Sequence, residues 1–319
     1  MPLLDMPLEQ LHQYQGRNPK PDDFDQYWQR ALDELSHTEF QVELRPSEFQ
    51  VPFATCYDLF FTGVGKARIH AHYLRPTFVK GKHPAILQFH GYSGNAGGFS
   101  AKLAYVSLGY SVFAMDVRGQ GGLSEDSTSV KGTTLHGHII RGIDDVPDRL
   151  LFRQIFLDTV ALFRIAAEFE EVDPARIGVT GWSQGGGLTL ACAALEPRVA
   201  RIAPVYPFLS DYLRVWEMDM AKNAYEELRT YFRHHDPQHK REHEIFQKLG
   251  YIDIQHLASR IQSEVLMGVG LMDDICPPST QFATYNKIKA NKSLVIYPDF
   301  GHEGLPAMQD HIVQFMLKL

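Results

Sequence analysis

One stretch constrains the fold more than any other: residues 176–188, where a strand pattern gives way to a helix pattern. Before the turn stand Ile177, Val179 and Thr180, β-branched residues of the kind that pack well on a pleated sheet. After the turn, four residues follow the i, i+3, i+4, i+7 spacing of a helical face: Leu188, Ala191, Cys192 and Leu195. Between the two patterns lies Gly181-Trp-Ser-Gln-Gly185, so the chain must turn sharply at Ser183.

Such a turn strains its middle residue, and flanking glycines let the backbones of strand and helix approach each other. Ser183 would lie at the tip, with its hydroxyl accessible and the N-terminus of the helix behind it. A chance Gly-x-Ser-x-Gly is the alternative, but the strand before it and the helix after it favour a nucleophile elbow. The stretch therefore predicts an α/β-hydrolase fold.

Composition and charge bound the class of protein. The 319 residues are 44% hydrophobic and 22% charged, which suits a single globular α/β domain over 1–319. A net charge of −7 argues against nucleic-acid binding, which favours a basic face. Cys56, Cys192 and Cys276 form no Cys-x-x-Cys pair and indicate reduced thiols, as in a cytoplasmic protein. Because no apolar run approaches roughly 20 residues and no signal-peptide pattern is present, we expect neither membrane association nor a leader.

Strand and helix patterns on both sides of the elbow predict a doubly wound, mostly parallel sheet. Besides the elbow strand, its parallel strands are expected at 84–90, 111–115, 199–206, 264–270 and 293–298. A helix capped by Asp22 or Asp23 and antiparallel strands within 53–76 form an N-terminal extension. Residues 123–149 are typical of a loop, and residues 209–260 predict a helical excursion over the mouth of the site.

Histidine pairs and glycine-rich loops could also indicate metal binding or phosphate binding. His70 and His72 alternate on one strand, where solvent-facing histidines are commoner than metal ligands. His239 and His243 are spaced for one helical face, but no glutamate follows His239 as in His-Glu-x-x-His, so we prefer a solvated polar face. The glycine loops lack the order of known phosphate-binding motifs. We therefore expect no metal ion and no organic cofactor.

Ser183, a late acid and a late histidine occur in the chain order of an α/β-hydrolase triad. His302 follows the last strand and would take the hydroxyl proton as general base. His311, inside the terminal helix, is the weaker candidate. Asp273 and Asp274 both follow a late strand, and spacing alone barely separates them as the acid that orients the imidazole.

An oxyanion hole also needs backbone N–H groups aimed at the developing charge. One would come from Gln184, the residue after the nucleophile. The other would come from the loop after an earlier strand, for which Tyr92 is the natural candidate.

Motifs along nearly the whole chain resemble those of carbohydrate esterase family 7, the acetyl xylan esterases and cephalosporin C deacetylases. The pair Arg118-Gly-Gln120 and Gly181-Trp-Ser-Gln-Gly185 is far more specific than Gly-x-Ser-x-Gly alone. The other motifs are Met1-Pro-Leu-Leu-Asp-Met6, Pro21-x-x-Phe-Asp-x-Tyr-Trp28, His90-Gly-Tyr92, Gly270-Leu-Met-Asp273, Ile275-Cys-Pro-Pro-Ser-Thr280 and Gly301-His-Glu303.

The resemblance implies that Asp273 is the acid and that Tyr92 and Gln184 are the oxyanion donors. It also implies a doughnut-shaped homohexamer whose active sites face an interior cavity. The chain departs from the family pattern at Asp148-Arg-Leu-Leu-Phe152, where the family usually carries a tyrosine run.

We therefore predict a cytoplasmic serine esterase that deacetylates small substrates, acetylated xylo-oligosaccharides and also cephalosporin-type acetates, through an acetyl-enzyme. A broad short-chain carboxylesterase acting on a non-sugar ester is the alternative, and a series of acyl chain lengths separates the two. Peptidases of this fold usually add a large propeller domain, for which the chain has no room. A non-catalytic binding module would typically have lost the serine or the histidine.

Overall fold

A computed structural model describes residues 4–131 and 137–319 of the chain. Within these ranges the strands are β1 Glu43–Pro46, β2 Ala54–Thr62, β3 Arg68–Pro76, β4 His83–Phe89, β5 Ser111–Met115, β6 Val172–Trp182, β7 Arg201–Val205, β8 Glu264–Gly270 and β9 Lys292–Tyr297. The α-helices are α1 Leu8–Leu11, α2 Phe24–Ser36, α3 Leu103–Ser107, α4 Leu151–Glu168, α5 Gln184–Leu195, α6 Tyr212–Glu217, α7 Glu226–His235, α8 Glu242–Leu249, α9 Ile254–Leu257, α10 Pro278–Lys287 and α11 Met308–Met316.

The strands form one sheet in the order β1-β2-β3-β5-β4-β6-β7-β8-β9. Strands β1, β2 and β3 pair antiparallel, and β3 also pairs antiparallel with β5. From β5 across to β9 every pairing is parallel. The predicted doubly wound, mostly parallel sheet with an antiparallel N-terminal extension is therefore confirmed.

Helices cover both faces of the sheet because its central strands are apolar on both sides. Ile86 and Leu87 are neighbours on β4 that point to opposite faces, and each is fully buried in a different apolar cluster. On one face α4 is almost wholly buried, and Phe156 of α4 stacks on Trp28 of α2 with ring centroids 5.8 Å apart. The aromatic face of α2 thus packs against the main body, as its periodicity predicts.

Some local predictions need adjustment. Asp23 precedes α2 in the cap position, but its side chain accepts no backbone N–H of the helix and instead accepts from the side chains of Tyr251 and Arg30. The predicted excursion at 209–260 contains α6 to α9, with short 3₁₀ turns before α7 and on both sides of α9. Residues 132–136 of the predicted loop lie outside the described residues.

No helix in the described ranges is both long enough and apolar enough to cross a bilayer.

Candidate active site

The turn between β6 and α5 has the strained geometry that its sequence predicts. Ser183 adopts φ 58° and ψ −119°, a conformation that residues with a Cβ rarely occupy. Gly185 lies so close to β4 that a Cβ there would overlap the carbonyl oxygen of Phe89. A Cβ at Gly181 would overlap the backbone of Gly185. Glycine at these two positions is therefore a packing requirement of the turn.

Three side chains from separate loops meet at this turn. His302 follows β9, and its Nε2 lies 2.9 Å from Ser183 Oγ. Its Nδ1 lies 2.8 Å from Oδ2 of Asp273, which follows β8. The structure thus brings together the predicted serine, acid and histidine with the spacing of a proton relay.

Asp273 and Asp274 have opposite environments. Asp273 is fully buried, and its Oδ1 accepts the backbone N–H groups of Ile275 at 2.9 Å and Cys276 at 2.7 Å. Asp274 is exposed. Of the two candidates, it is Asp273 whose carboxylate lies within hydrogen-bond distance of His302. His311 lies on α11 as an exposed residue and is not part of this cluster.

Tyr206, just after β7, supports the histidine and was not identified from the sequence. Its ring centroid lies 4.4 Å from that of His302, and its hydroxyl donates to the carbonyl oxygen of Glu303 at 3.1 Å. Tyr206 therefore limits movement of the loop that carries His302. A lone tyrosine after a strand carries no pattern that would have indicated this contact.

The two predicted oxyanion donors belong to different elements. Gln184 is the first residue of α5, and Tyr92 lies in the loop after β4. Within 4–131 and 137–319, neither backbone N–H has a protein acceptor. Free N–H groups at a helix start and in a neighbouring loop can receive a developing negative charge.

His90 fixes the start of the Tyr92 loop. Burial lowers the pKa of His90, which keeps its ring neutral at neutral pH. A neutral ring suits both of its contacts: Nδ1 donates to Gly91 O at 2.7 Å, and Nε2 accepts the Val117 N–H at 2.8 Å. The His-Gly-Tyr motif therefore has a structural role at its histidine.

The Arg118-Gly-Gln120 motif connects this loop to the elbow. Arg118 is fully buried and donates to both carboxylate oxygens of Asp158 at 2.7 Å. Gln120 then donates to Gln184 Oε1 at 2.7 Å and accepts the Ser93 N–H at 2.9 Å. The motif is thus anchored in the core by Arg118, and Gln120 holds the side chain of Gln184. The sequence indicated the motif but not this contact.

The preferred interpretation of His70 as solvent-facing is wrong. His70 is 1% exposed, with Nδ1 2.7 Å from Asp116 and Nε2 3.0 Å from Asp58. Burial opposes ionisation of Asp116, but hydrogen bonds from His70 and from the N–H groups of Leu123 and Ala96 lower its pKa to about 2. His70 therefore supports the base of the Tyr92 loop through Asp116.

Among the residues that the structure describes, two groups of side chains have donor atoms that a metal ion could bind. The donor atoms of Asp58, His70 and His72 lie within 4.8 Å of one another, as do those of Asp273, Cys276 and His302. In the first group, burial lowers the pKa of His72 to about 4, with contributions from Lys102 and His70. In the second group, the contacts to Ser183 and Asp273 already occupy both ring nitrogens of His302.

The predicted shared helical face of His239 and His243 is also wrong. His239 has φ 53° and precedes α8, whereas His243 lies within it. Both histidines are nevertheless exposed, as the preferred interpretation of a solvated polar surface expects, and the His239 ring also packs against Phe232 with centroids 4.9 Å apart.

The chain is similar to known esterases. A family model for acetyl xylan esterase (AXE1) matches residues 1–319. Acetyl esterase Axe7A of Xylanibacter ruminicola is 26% identical over 288 residues, which are 87% of this chain. The chain spans 62% of the length of that curated relative.

Two solved structures are similar over almost their whole length. The crystal structure of acetyl xylan esterase 1 from a Thermoanaerobacterium species is 59% identical, with a TM-score of 0.97 and 99% of both chains covered. Acetyl xylan esterase from Paenibacillus sp. R4 is 35% identical, with a TM-score of 0.94, and the match covers 98% of this chain and 99% of that one.

Proposed function

Because the chain belongs to the acetyl xylan esterase (AXE1) family, we propose that it is a serine carboxylic ester hydrolase that deacetylates acetylated xylo-oligosaccharides. The observation that carries this proposal is the continuous contact from Ser183 Oγ through His302 to Asp273, at 2.9 Å and 2.8 Å. The relatives named acetyl xylan esterase and acetyl esterase support the acetyl group as the acyl part.

In the first half-reaction Ser183 Oγ attacks the acetyl carbonyl while His302 Nε2 takes its proton. The N–H groups of Tyr92 and Gln184 hold the oxyanion of the tetrahedral intermediate. Asp273 stabilises the imidazolium that forms. When the intermediate collapses, the proton passes to the sugar oxygen, which leaves as an alcohol.

In the second half-reaction water replaces the alcohol. His302 deprotonates the water as it attacks the acetyl-enzyme, the same two N–H groups hold the second oxyanion, and acetate leaves as Ser183 regains its proton. The proton of Ser183 leaves with the alcohol and a proton from water replaces it, so the cycle consumes one ester and one water. The reaction needs no cofactor.

Finer parts of the proposal rest on the family resemblance. We propose cephalosporin-type acetates as further substrates, a homohexamer as the assembly and one domain over 1–319. The exposed Leu44 on edge strand β1, beside exposed Val42, supports coverage of that edge by another subunit. The three buried cysteines, none in a disulfide, support a cytoplasmic location.

A series of acyl chains on one leaving group tests the substrate proposal. We place the Tyr92 ring at the acyl side of the pocket, where it packs on Phe208 with ring centroids 5.3 Å apart. A methylene that displaces a packed wall costs about 1–3 kcal/mol, whereas one that fits gains about 0.8 kcal/mol. We expect kcat/KM to fall at least about tenfold from acetate to butyrate.

The matched comparison keeps the acyl group constant and changes the alcohol. Acetates of xylose oligomers and of a cephem nucleus should differ far less than acetate and butyrate do. Ser183→Ala supplies the background, since loss of the nucleophile removes several orders of magnitude of turnover. A rise in kcat/KM from acetate to butyrate would favour the broad carboxylesterase.

A further inference from the structure

Glu227, on α7, is a buried carboxylate that the mechanism above does not use. The side chain is 5% exposed, and its Oε1 accepts the Tyr92 hydroxyl, while its Oε2 accepts the Ile140 N–H at 3.0 Å. The Tyr92 hydroxyl in turn accepts the His138 N–H at 2.9 Å. A helix of the excursion is thus hydrogen-bonded to the loop that carries a proposed oxyanion donor.

Glu227 lies among polar groups. Burial raises its pKa to about 7, although the Tyr92 hydroxyl and the N–H groups of residues 138–140 favour the ionised form. Within the described ranges, no lysine or arginine forms an ion pair with it. The other titratable groups nearby are Tyr212 of α6, which interacts electrostatically with Glu227, and His138, whose ring lies 4.8 Å from that of Tyr92.

Space around this carboxylate is also restricted. A Cβ at Gly137 would overlap Glu227, so the segment that supplies the N–H donors approaches as closely as glycine allows. Phe208 closes the other side of the Tyr92 ring, and Tyr225, two residues before Glu227, packs on Phe208 with centroids 4.4 Å apart. The hydroxyl and the ring of Tyr92 are therefore both held.

We propose that Glu227 is a positioning residue, whose carboxylate holds the Tyr92 side chain so that the Tyr92 N–H stays aimed at the oxyanion. This inference rests on the proposed function, because it needs Tyr92 as an oxyanion donor. The hydrogen bond from Tyr92 is strongest when Glu227 is ionised, since a charged acceptor strengthens it. Protonation would weaken the hold on Tyr92 without touching Ser183, His302 or Asp273.

Three variants test the inference by steady-state kinetics on an acetate ester. Glu227→Gln keeps the shape but removes the charge, Tyr92→Phe removes only the hydroxyl, and Glu226→Gln is the matched control at the exposed neighbouring residue. We expect kcat to fall about tenfold or more in the first two, because small displacements of an oxyanion donor are costly. KM should stay within about twofold, and Glu226→Gln should match the wild type.

The double variant and the pH profile separate positioning from simple packing. Because both single changes break the same contact, Tyr92→Phe combined with Glu227→Gln should be no slower than the slower single variant. The wild-type kcat profile should contain a step near pH 7, with the higher rate on the alkaline side where Glu227 is ionised. Glu227→Gln should lose that step, and Glu226→Gln should keep it.

The results that would overturn the role of Glu227 differ from those that would contradict the proposed function. Three results would each overturn the role of Glu227. Glu227→Gln could show the same kinetics as Glu226→Gln, or the losses of the two single variants could multiply in the double variant. The third is a step near pH 7 that remains unchanged in Glu227→Gln. If Glu227→Gln does not fold, as far-ultraviolet circular dichroism would reveal, an unchanged kcat of Tyr92→Phe overturns it instead. Labelling of wild-type Ser183 by a fluorophosphonate separates the two proposals, since absence of labelling would contradict the function itself.

Discussion

At the scale of single residues, the two neighbouring carboxylates after β8 show how far environment outweighs chemical type. Asp273 accepts two backbone N–H groups and contacts His302, so its charge is held where an imidazolium would form. Asp274 is exposed to solvent, where a charge has little effect on a group several ångströms away. We therefore expect the two aspartates to contribute very differently to catalysis.

We predict that Asp273→Asn lowers kcat by about 10³–10⁴-fold, because an amide favours the wrong imidazole tautomer. Asp274→Asn, the matched control, should stay within a few-fold of the wild type. Steady-state hydrolysis of an acetate ester at constant pH measures both. Larger loss in Asp274→Asn than in Asp273→Asn would show that the acid is misassigned.

At the scale of elements, the elbow depends on contact between α5 and β4. The first turn of α5 carries Gly185, Gly186 and Gly187, and a Cβ at any of them would overlap backbone atoms of neighbouring segments. Glycine lowers helix stability by about 1 kcal/mol relative to alanine. The lower helix stability is offset by packing, because only a helix start without side chains can lie this close to the sheet.

Gly185→Ala should therefore destabilise the protein, even though alanine is the better helix former. Displacing the Phe89 carbonyl costs about 1–3 kcal/mol or more, which exceeds the gain in helix propensity. The same displacement should lower esterase activity, because Phe89 directly precedes the loop of Tyr92. Thermal unfolding followed by circular dichroism measures the first effect.

Gly98→Ala is the control for that experiment. A Cβ at Gly98 would meet only Ser100 Oγ, at 3.8 Å, and its φ of −70° suits alanine. Its stability should lie within about 0.5 kcal/mol of the wild type. Equal unfolding midpoints for the two variants would show that close packing at the elbow is not what requires glycine.

At the scale of the whole molecule, strand order decides which loops meet. The sheet places β4, β6, β7, β8 and β9 side by side and parallel, so the loops after these strands open at one edge. Ser183, Asp273, His302 and Tyr92 all follow such strands. Chemistry at the carboxyl edge of a doubly wound sheet follows from this arrangement.

Assembly is the remaining property at this scale. We predict a mass near six times 36.2 kDa by multi-angle light scattering at micromolar concentration. Exposed Val42 and Leu44 at edge strand β1 support this prediction, since apolar side chains at a sheet edge are unfavourable in water unless another subunit covers them. A stable monomer would contradict the hexamer. Residues 148–152, which depart from the family pattern, would then be the first segment to mutate.

The sequence by itself determined the local features of this protein. Periodicity and glycines at 176–188 predict the elbow at Ser183, because strand and helix repeats act over a few neighbouring residues. The order of Ser183, the acid and His302 follows from motifs that each lie within one loop. The family resemblance, carried by such motifs, is confirmed by the match over residues 1–319.

Only the tertiary structure decided the contacts between distant segments. Spacing alone did not separate Asp273 from Asp274, and it placed His70 in solvent although two carboxylates enclose it. The contact between Tyr92 and Glu227 joins residues 135 positions apart. A local repeat reports which way a side chain faces, whereas its partner depends on strand order and on where a helical excursion packs, which no local repeat encodes.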